Sequence, residues 1–89
     1  YSLWTRNPEI AVLDACRELG VSFVAFSPLG RGFLTAALTD PAQVAAFDAK
    51  DIRRAMPRFQ GEHLSANLSL LGDYTALAAE AGCTPAQLA

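Results

Sequence analysis

This sequence is short of the residues most enzymes lean on for acid, base or metal chemistry. It has one histidine, His63, and two cysteines, Cys16 and Cys83, far apart in the chain. That spacing matches no zinc or redox motif. Charge is sparse, at 18% of residues, and the net charge of −2 offers no long-range attraction for nucleic acid or an anionic membrane surface. No apolar run approaches the roughly 20 residues of a membrane span. No P-loop and no GxGxxG pattern is present. Neither an initiating methionine nor a signal peptide is visible. The unmatched cysteines are compatible with a reducing cytoplasm, and a cytoplasmic location is the expectation.

What is present is apolar material in ordinary globular proportion, 52% over 89 residues, enough for one small domain and too much for disorder. The most informative stretch is residues 21–33. Val21, Phe23, Val24 and Phe26 fall in an uncharged run of six, between Gly20 and Pro28. The run is too short for a buried helix and reads as a strand covered on both faces, as in a parallel sheet. It breaks into Ser27, Pro28, Leu29, Gly30, Arg31 and Gly32. The two glycines allow positive φ, a turn of this kind can aim N–H groups at an anion, and Arg31 adds a planar cationic fork. The turn sits at the C-terminal end of the strand, where α/β folds bind ligands. A tight turn without a ligand fits the same residues.

The flanking segments read as helices. Asn7, Pro8 and Glu9 have the form of an N-cap, N1 and acidic first turn. A helix follows over residues 8–19, with Val12, Cys16 and Leu19 on one face, Ile10 and Leu13 widening it, and Gly20 as its stop. Cys16 is expected to be a small core residue. Asp40 and Pro41 open a short helix through Phe47. Residues 64–81 form a long helix with two apolar rows, Leu64–Leu68–Leu71 and Leu70–Tyr74–Leu77–Ala81. Gly72 weakens it by about 1 kcal/mol against alanine. Tyr74 belongs to that stripe as a core residue. Thr84, Pro85 and Gln87 make a further N-cap, N1 and capping box. Helix and strand alternate, so the fold class is α/β.

Between Lys50 and His63 lie four bases, Lys50, Arg53, Arg54 and Arg58, against Asp51 and Glu62. The cluster fits an anion or nucleotide contact, and equally a solvated loop laced with ion pairs. His63 lacks any neighbouring acid or cysteine constellation and is expected at the surface. No residue stands out as catalytic or metal-binding.

Four stretches taken together resemble the aldo-keto reductase family: Tyr1 to Arg6, Phe26 to Thr35, Pro57 to Glu62, and Gly82 to Ala89. They occur in the family's order and cover essentially the whole chain, with greatest likeness to the bacterial and plant branch that also resembles potassium-channel β subunits. The resemblance implies a (β/α)₈ TIM barrel, of which residues 1–89 would be one part, from the end of the sixth strand to the helix before the eighth. It implies NADP(H) as cofactor, carbonyl compounds as substrates, and the remainder of the barrel as the chain's partner. Tyr1 matches the aromatic that stacks on the nicotinamide. Ser27, Pro28, Leu29 and Gly30 match the loop along the pyrophosphate and ribose, which Arg31 and Gly32 extend. The family's catalytic Asp, Tyr, Lys and His would all precede Tyr1, so this stretch alone is expected to be inactive. Ala36 stands where the family has glycine. A nucleotide-binding regulatory or structural piece of the same fold is the alternative.

Overall fold

The computed structural model describes residues 1–89. It contains five α-helices, α1 (Val12–Leu19), α2 (Pro41–Ala45), α3 (Gly61–Ser69), α4 (Leu71–Glu80) and α5 (Pro85–Leu88), with 3₁₀ turns at Asn7–Ile10, Phe33–Thr35, Ile52–Ala55 and Pro57–Phe59. No helix is long and apolar enough to cross a membrane.

The local stop and start signals act as their chemistry requires. Gly20 closes α1 at φ 66°, and the N–H groups of Gly20 and Val21 donate to the carbonyls of Arg17 and Cys16. At α2 the Asp40 carboxylate accepts from the Ala42 N–H at 2.7 Å, and the Gln43 side-chain oxygen accepts from the Asp40 N–H at 2.9 Å. At α5 Thr84 accepts from the Gln87 N–H and Gln87 accepts in return from the Thr84 N–H.

Three expectations are corrected. The strand over residues 21–26 does not form, and the chain has no strand at all. A strand requires a ladder partner, and none of the N–H groups from Ser22 to Ser27 finds an acceptor within the chain. The run is not buried either, with Val24 86% and Phe26 75% exposed. The α/β alternation of a partial barrel is therefore absent from these 89 residues taken alone.

The helix over residues 8–19 is divided. Asn7–Ile10 is a 3₁₀ turn without a side-chain cap, and Ala11 at φ −155° separates it from α1. The Glu9 carboxylate is drawn back onto Arg6, at 2.8 and 2.9 Å, and onto the Tyr1 hydroxyl, which tightens this first turn. The helix over residues 64–81 begins earlier, at Gly61, and breaks at Leu70. Ser69 donates to the Ala66 carbonyl at 2.7 Å, Thr75 donates to those of Leu71 and Gly72, and Gly72 itself supports helix poorly. Both apolar rows contribute to the core, Leu68 from one and Tyr74 from the other packing at its margin. Leu64 and Leu71 are buried, while Leu70 and Leu77 remain exposed.

The core lies entirely after the turn at 27–32. Phe33, Leu34, Leu38, Val44, Phe59, Leu64 and Leu71 form it, with Trp4 and Tyr74 packed at its margin. Helix α1 buries no residue, Cys16 included. The radius of gyration of 15.0 Å exceeds the roughly 12 Å of a compact domain of this length, in keeping with an arm that stands off the core.

The core is small enough to hinge on single rings. Phe59→Ala is expected to cost about 3–5 kcal/mol, as much as one small core supplies. Near-UV circular dichroism of this chain should then lose its aromatic signal. Val24→Ala should leave it unchanged.

Candidate functional site

The site is built on Trp4. Ser2 folds the N-terminal segment into a tight turn, its hydroxyl accepting from the N–H groups of Trp4 (3.1 Å) and Thr5 (3.0 Å). This sends the indole inward, where it stacks on Phe33 with centroids 4.0 Å apart and meets Phe59 edge-on at 5.7 Å. The turn at 27–32 rests on the same ring. A Cβ at Gly30 would lie 2.9 Å from Trp4 Cε3, so glycine is required there by space as well as by its φ of 57°.

Ser27, Gly30, Arg31 and Gly32 all have positive φ, at 50°, 57°, 56° and 89°. The turn's carbonyls take up four donors, two of its own and two from just beyond it. The N–H groups of Gly30, Gly32, Phe33 and Leu34 bond to the carbonyls of Ser27, Leu29, Gly30 and Leu29. Those of Ser27, Leu29 and Arg31 donate to nothing within the chain. Left-handed turns with free N–H groups are the backbone arrangement that attracts anions.

A cleft of about 250 Å³ opens beside this turn. Tyr1, Ser27, Gly30 and Arg31 line it, joined by Ser2, Thr5, Phe26, Met56 and Arg58. The Arg31 guanidinium lies over the Phe26 ring at 5.3 Å, and Arg58 lies over Trp4 at 4.4 Å. Neither arginine has a carboxylate partner; the chain's ion pairs are Arg6–Glu9, Arg17–Asp14 and Arg53–Asp51. The cleft contains no acid, histidine or cysteine. It can hold a negative group and orient it, and it offers no side chain suited to proton exchange near neutral pH.

Four of the seven expected contact residues thus come together. Pro28 faces a neighbouring cleft with Leu3 and Arg6, and neither Leu29 nor Gly32 lines the main one. Tyr1 is anchored rather than free. Its ring meets Phe23 edge-on at 6.0 Å and its hydroxyl donates to Glu9. That hydrogen bond raises the phenol's pKa, while Arg6 lowers that of Glu9. The basic cluster disperses. Arg53 binds Asp51 at 2.6 Å and stacks on Phe47 at 3.8 Å, and Arg54 donates to the Phe47 carbonyl. Arg58 alone reaches the cleft. His63 is exposed and lies outside the cleft, as expected. A larger groove of about 700 Å³ runs between α2 and α3, includes Arg54 and Glu62, and contains none of the expected contact residues.

Comparison with known proteins bears on this arrangement. A sequence profile of the aldo/keto reductase family matches residues 1–89. This chain belongs to the aldo/keto reductase family. It is 42% identical over 88 residues to a protein of Schizosaccharomyces pombe named aldo-keto reductase yakc, NADP(+). The match covers 99% of this chain and 25% of that protein, so the chain spans about a quarter of that relative's length. No solved structure matches. Within the aldo/keto reductase chain, the cleft beside Ser27 and Gly30 is where sequence motif and geometry meet.

Two measurements probe the site's support. Gly30→Ala must place a Cβ against Trp4 at a left-handed φ, which costs about 1–2 kcal/mol, and Trp4 fluorescence should shift with it. For Asp51, the hydrogen bonds from Arg53 hold the carboxyl down from its ordinary 3.8 to about 2. A depressed carboxyl stabilises the fold above its unfolded pKa and loses that contribution as pH falls through the folded one. Acid unfolding should therefore show a component between pH 3.8 and about 2, which Asp51→Asn abolishes.

Proposed function

We propose that this chain is part of an NADP(H)-dependent oxidoreductase that interconverts carbonyl compounds and alcohols, and that its share of the work is to hold the cofactor. The carrying observation is the acid-free cleft in which Arg31 stands beside a left-handed turn with three unpaired N–H groups. A dinucleotide's pyrophosphate is an anion of matching character, and charge-assisted bonds to it are strong. The NADP(+) in the name of the fission-yeast relative supports the same cofactor.

In this proposal Ser27, Pro28, Leu29 and Gly30 lie along the pyrophosphate and ribose, with Arg31 and Gly32 extending the contact and Tyr1 against the nicotinamide. When bound, the cofactor supplies hydride chemistry. The chain's own residues bind and orient. Trp4 fixes the height of the turn, and Glu9 with Phe23 fixes the plane of the Tyr1 ring. The apolar run at 21–26 and the uncovered face of α1 suit packing against further strands and helices of a (β/α)₈ barrel. The two free cysteines fit a cytoplasmic location.

A second proposal, nucleotide binding without turnover, draws on the absence of any acid–base side chain in the cleft. Both are separated by assay. The intact native polypeptide carrying this sequence should have the mass of a whole barrel, roughly 250 residues or more, and should oxidise NADPH with simple aldehydes. The 89-residue chain alone should give no turnover, and measured turnover by it would overturn that assignment. Arg31→Ala should weaken NADP(+) binding about tenfold or more, in line with the loss of a charged hydrogen bond. Calorimetric titration of the intact protein reads this directly.

A further inference from the structure

Arg58 comes to the cleft with Met56 from a distant part of the sequence, and it is the charged member of that pair. Its Nη1 donates to the Thr5 hydroxyl at 3.0 Å, 53 residues away, and its guanidinium lies over the Trp4 ring at 4.4 Å. Its backbone is fixed as well. The Asn67 side chain donates to the Arg58 carbonyl at 2.9 Å, and the next residue, Phe59, is buried in the core. An arginine held this way retains unspent donors and loses little freedom when it binds an anion. Arg31 supplies a second guanidinium to the same cleft, and no carboxylate neutralises either.

We infer that Arg58 is a binding residue for a diphosphate group, forming with Arg31 and the turn at 27–32 a two-armed clamp that takes two adjacent anionic centres rather than one. The inference rests on the proposed anion-binding role of the turn and adds an arm to it. Two separate cations suit two linked phosphoryl groups, whereas a single phosphate engages one arm at a time. The Thr5 hydroxyl and the Trp4 face set the direction of the second arm. Thr5 and Trp4 are therefore positioning residues, and Arg58 is the contact.

The alternative is that Arg58 merely lids Trp4, a cation–π contact with no ligand. Calorimetry of the intact protein carrying this sequence distinguishes them, with inorganic pyrophosphate as probe and orthophosphate as comparison. The clamp predicts that pyrophosphate binds at least about tenfold tighter than orthophosphate, and that Arg58→Gln removes most of that preference. Thr5→Val, which frees the arm while leaving its charge, should weaken pyrophosphate several-fold. Arg54→Gln, which alters a cation outside the cleft, should change neither affinity. Near-UV circular dichroism establishes that each variant is folded, and if Arg58→Gln is not, Thr5→Val decides. Unchanged pyrophosphate affinity in a folded Arg58→Gln or in Thr5→Val overturns the clamp. Should Arg31→Ala still weaken binding in that case, the turn keeps its role. If the unsubstituted protein binds neither pyrophosphate nor NADP(+), both assignments fall together.

Discussion

The stack of Trp4 on Phe33 is the contact on which the rest depends. There the N-terminal segment makes its closest aromatic contact with the core, and the turn at 27–32 takes its height from the same indole. Aromatic pairs contribute about 0.5–1.5 kcal/mol beyond area burial, and a guanidinium over the ring adds about 0.5–2 kcal/mol. Those are modest sums, but they are concentrated. Phe33, Phe59, Gly30 and Arg58 approach one ring from different directions. A shift of that ring would move the turn and Arg58 at once, so core packing and cleft geometry are a single constraint.

The contrast with α1 shows what such a contact does. Helix α1 has a well-formed stop, an Arg17–Asp14 pair and an apolar face, yet it buries nothing. Local signals suffice to make a helix, and they do not supply anything for it to pack against. The segment after it has strand-like composition and no ladder. Its backbone donors from Ser22 to Ser27 find no acceptor in the chain, and its contacts include the Tyr1 ring edge-on to Phe23, the Tyr1 ammonium donating to the Phe26 carbonyl at 3.3 Å and the Arg31 guanidinium over Phe26. Composition sets a conformational preference, and pairing decides whether the preference becomes a sheet.

This division also explains what was legible in the sequence. Gly20, the Asp40 cap and the Thr84–Gln87 box each act within a few residues and appear where the sequence places them, although α2 ends at Ala45 and not at Phe47 as expected. The turn at 27–32 was legible for the same reason, since glycines and Ser-Pro specify backbone shape locally. Tyr74 at the core margin followed from helical spacing, its hydroxyl meeting the Pro85 carbonyl. The break at Leu70 was hidden because both apolar rows satisfy one continuous helix, and residues of both pack on the core. Asn7 failed as a cap because it lies inside the 3₁₀ turn, where Arg6 takes the cap position and its carbonyl accepts from the Glu9 N–H. Arg58 was visible as a base in a basic cluster. What singled it out from Arg53 and Arg54 was contact with Thr5 across 53 residues, which no spacing encodes.

Net charge misleads for a related reason. The chain carries −2 overall, yet its cleft is cationic. The sorting is geometric. Arg6, Arg17 and Arg53 each lie within three residues of an acid and are taken up by it. Arg31 has glycines on both sides, and Arg58 lies between Pro57 and Phe59 with no acid close enough to claim it. Both stay unneutralised, and the fold then brings them to the same cleft. Long-range attraction follows total charge, but binding follows the charge left over after local pairing. By that measure an acidic chain presents a cleft with two unpaired guanidiniums, which is the ground for the proposed anion site.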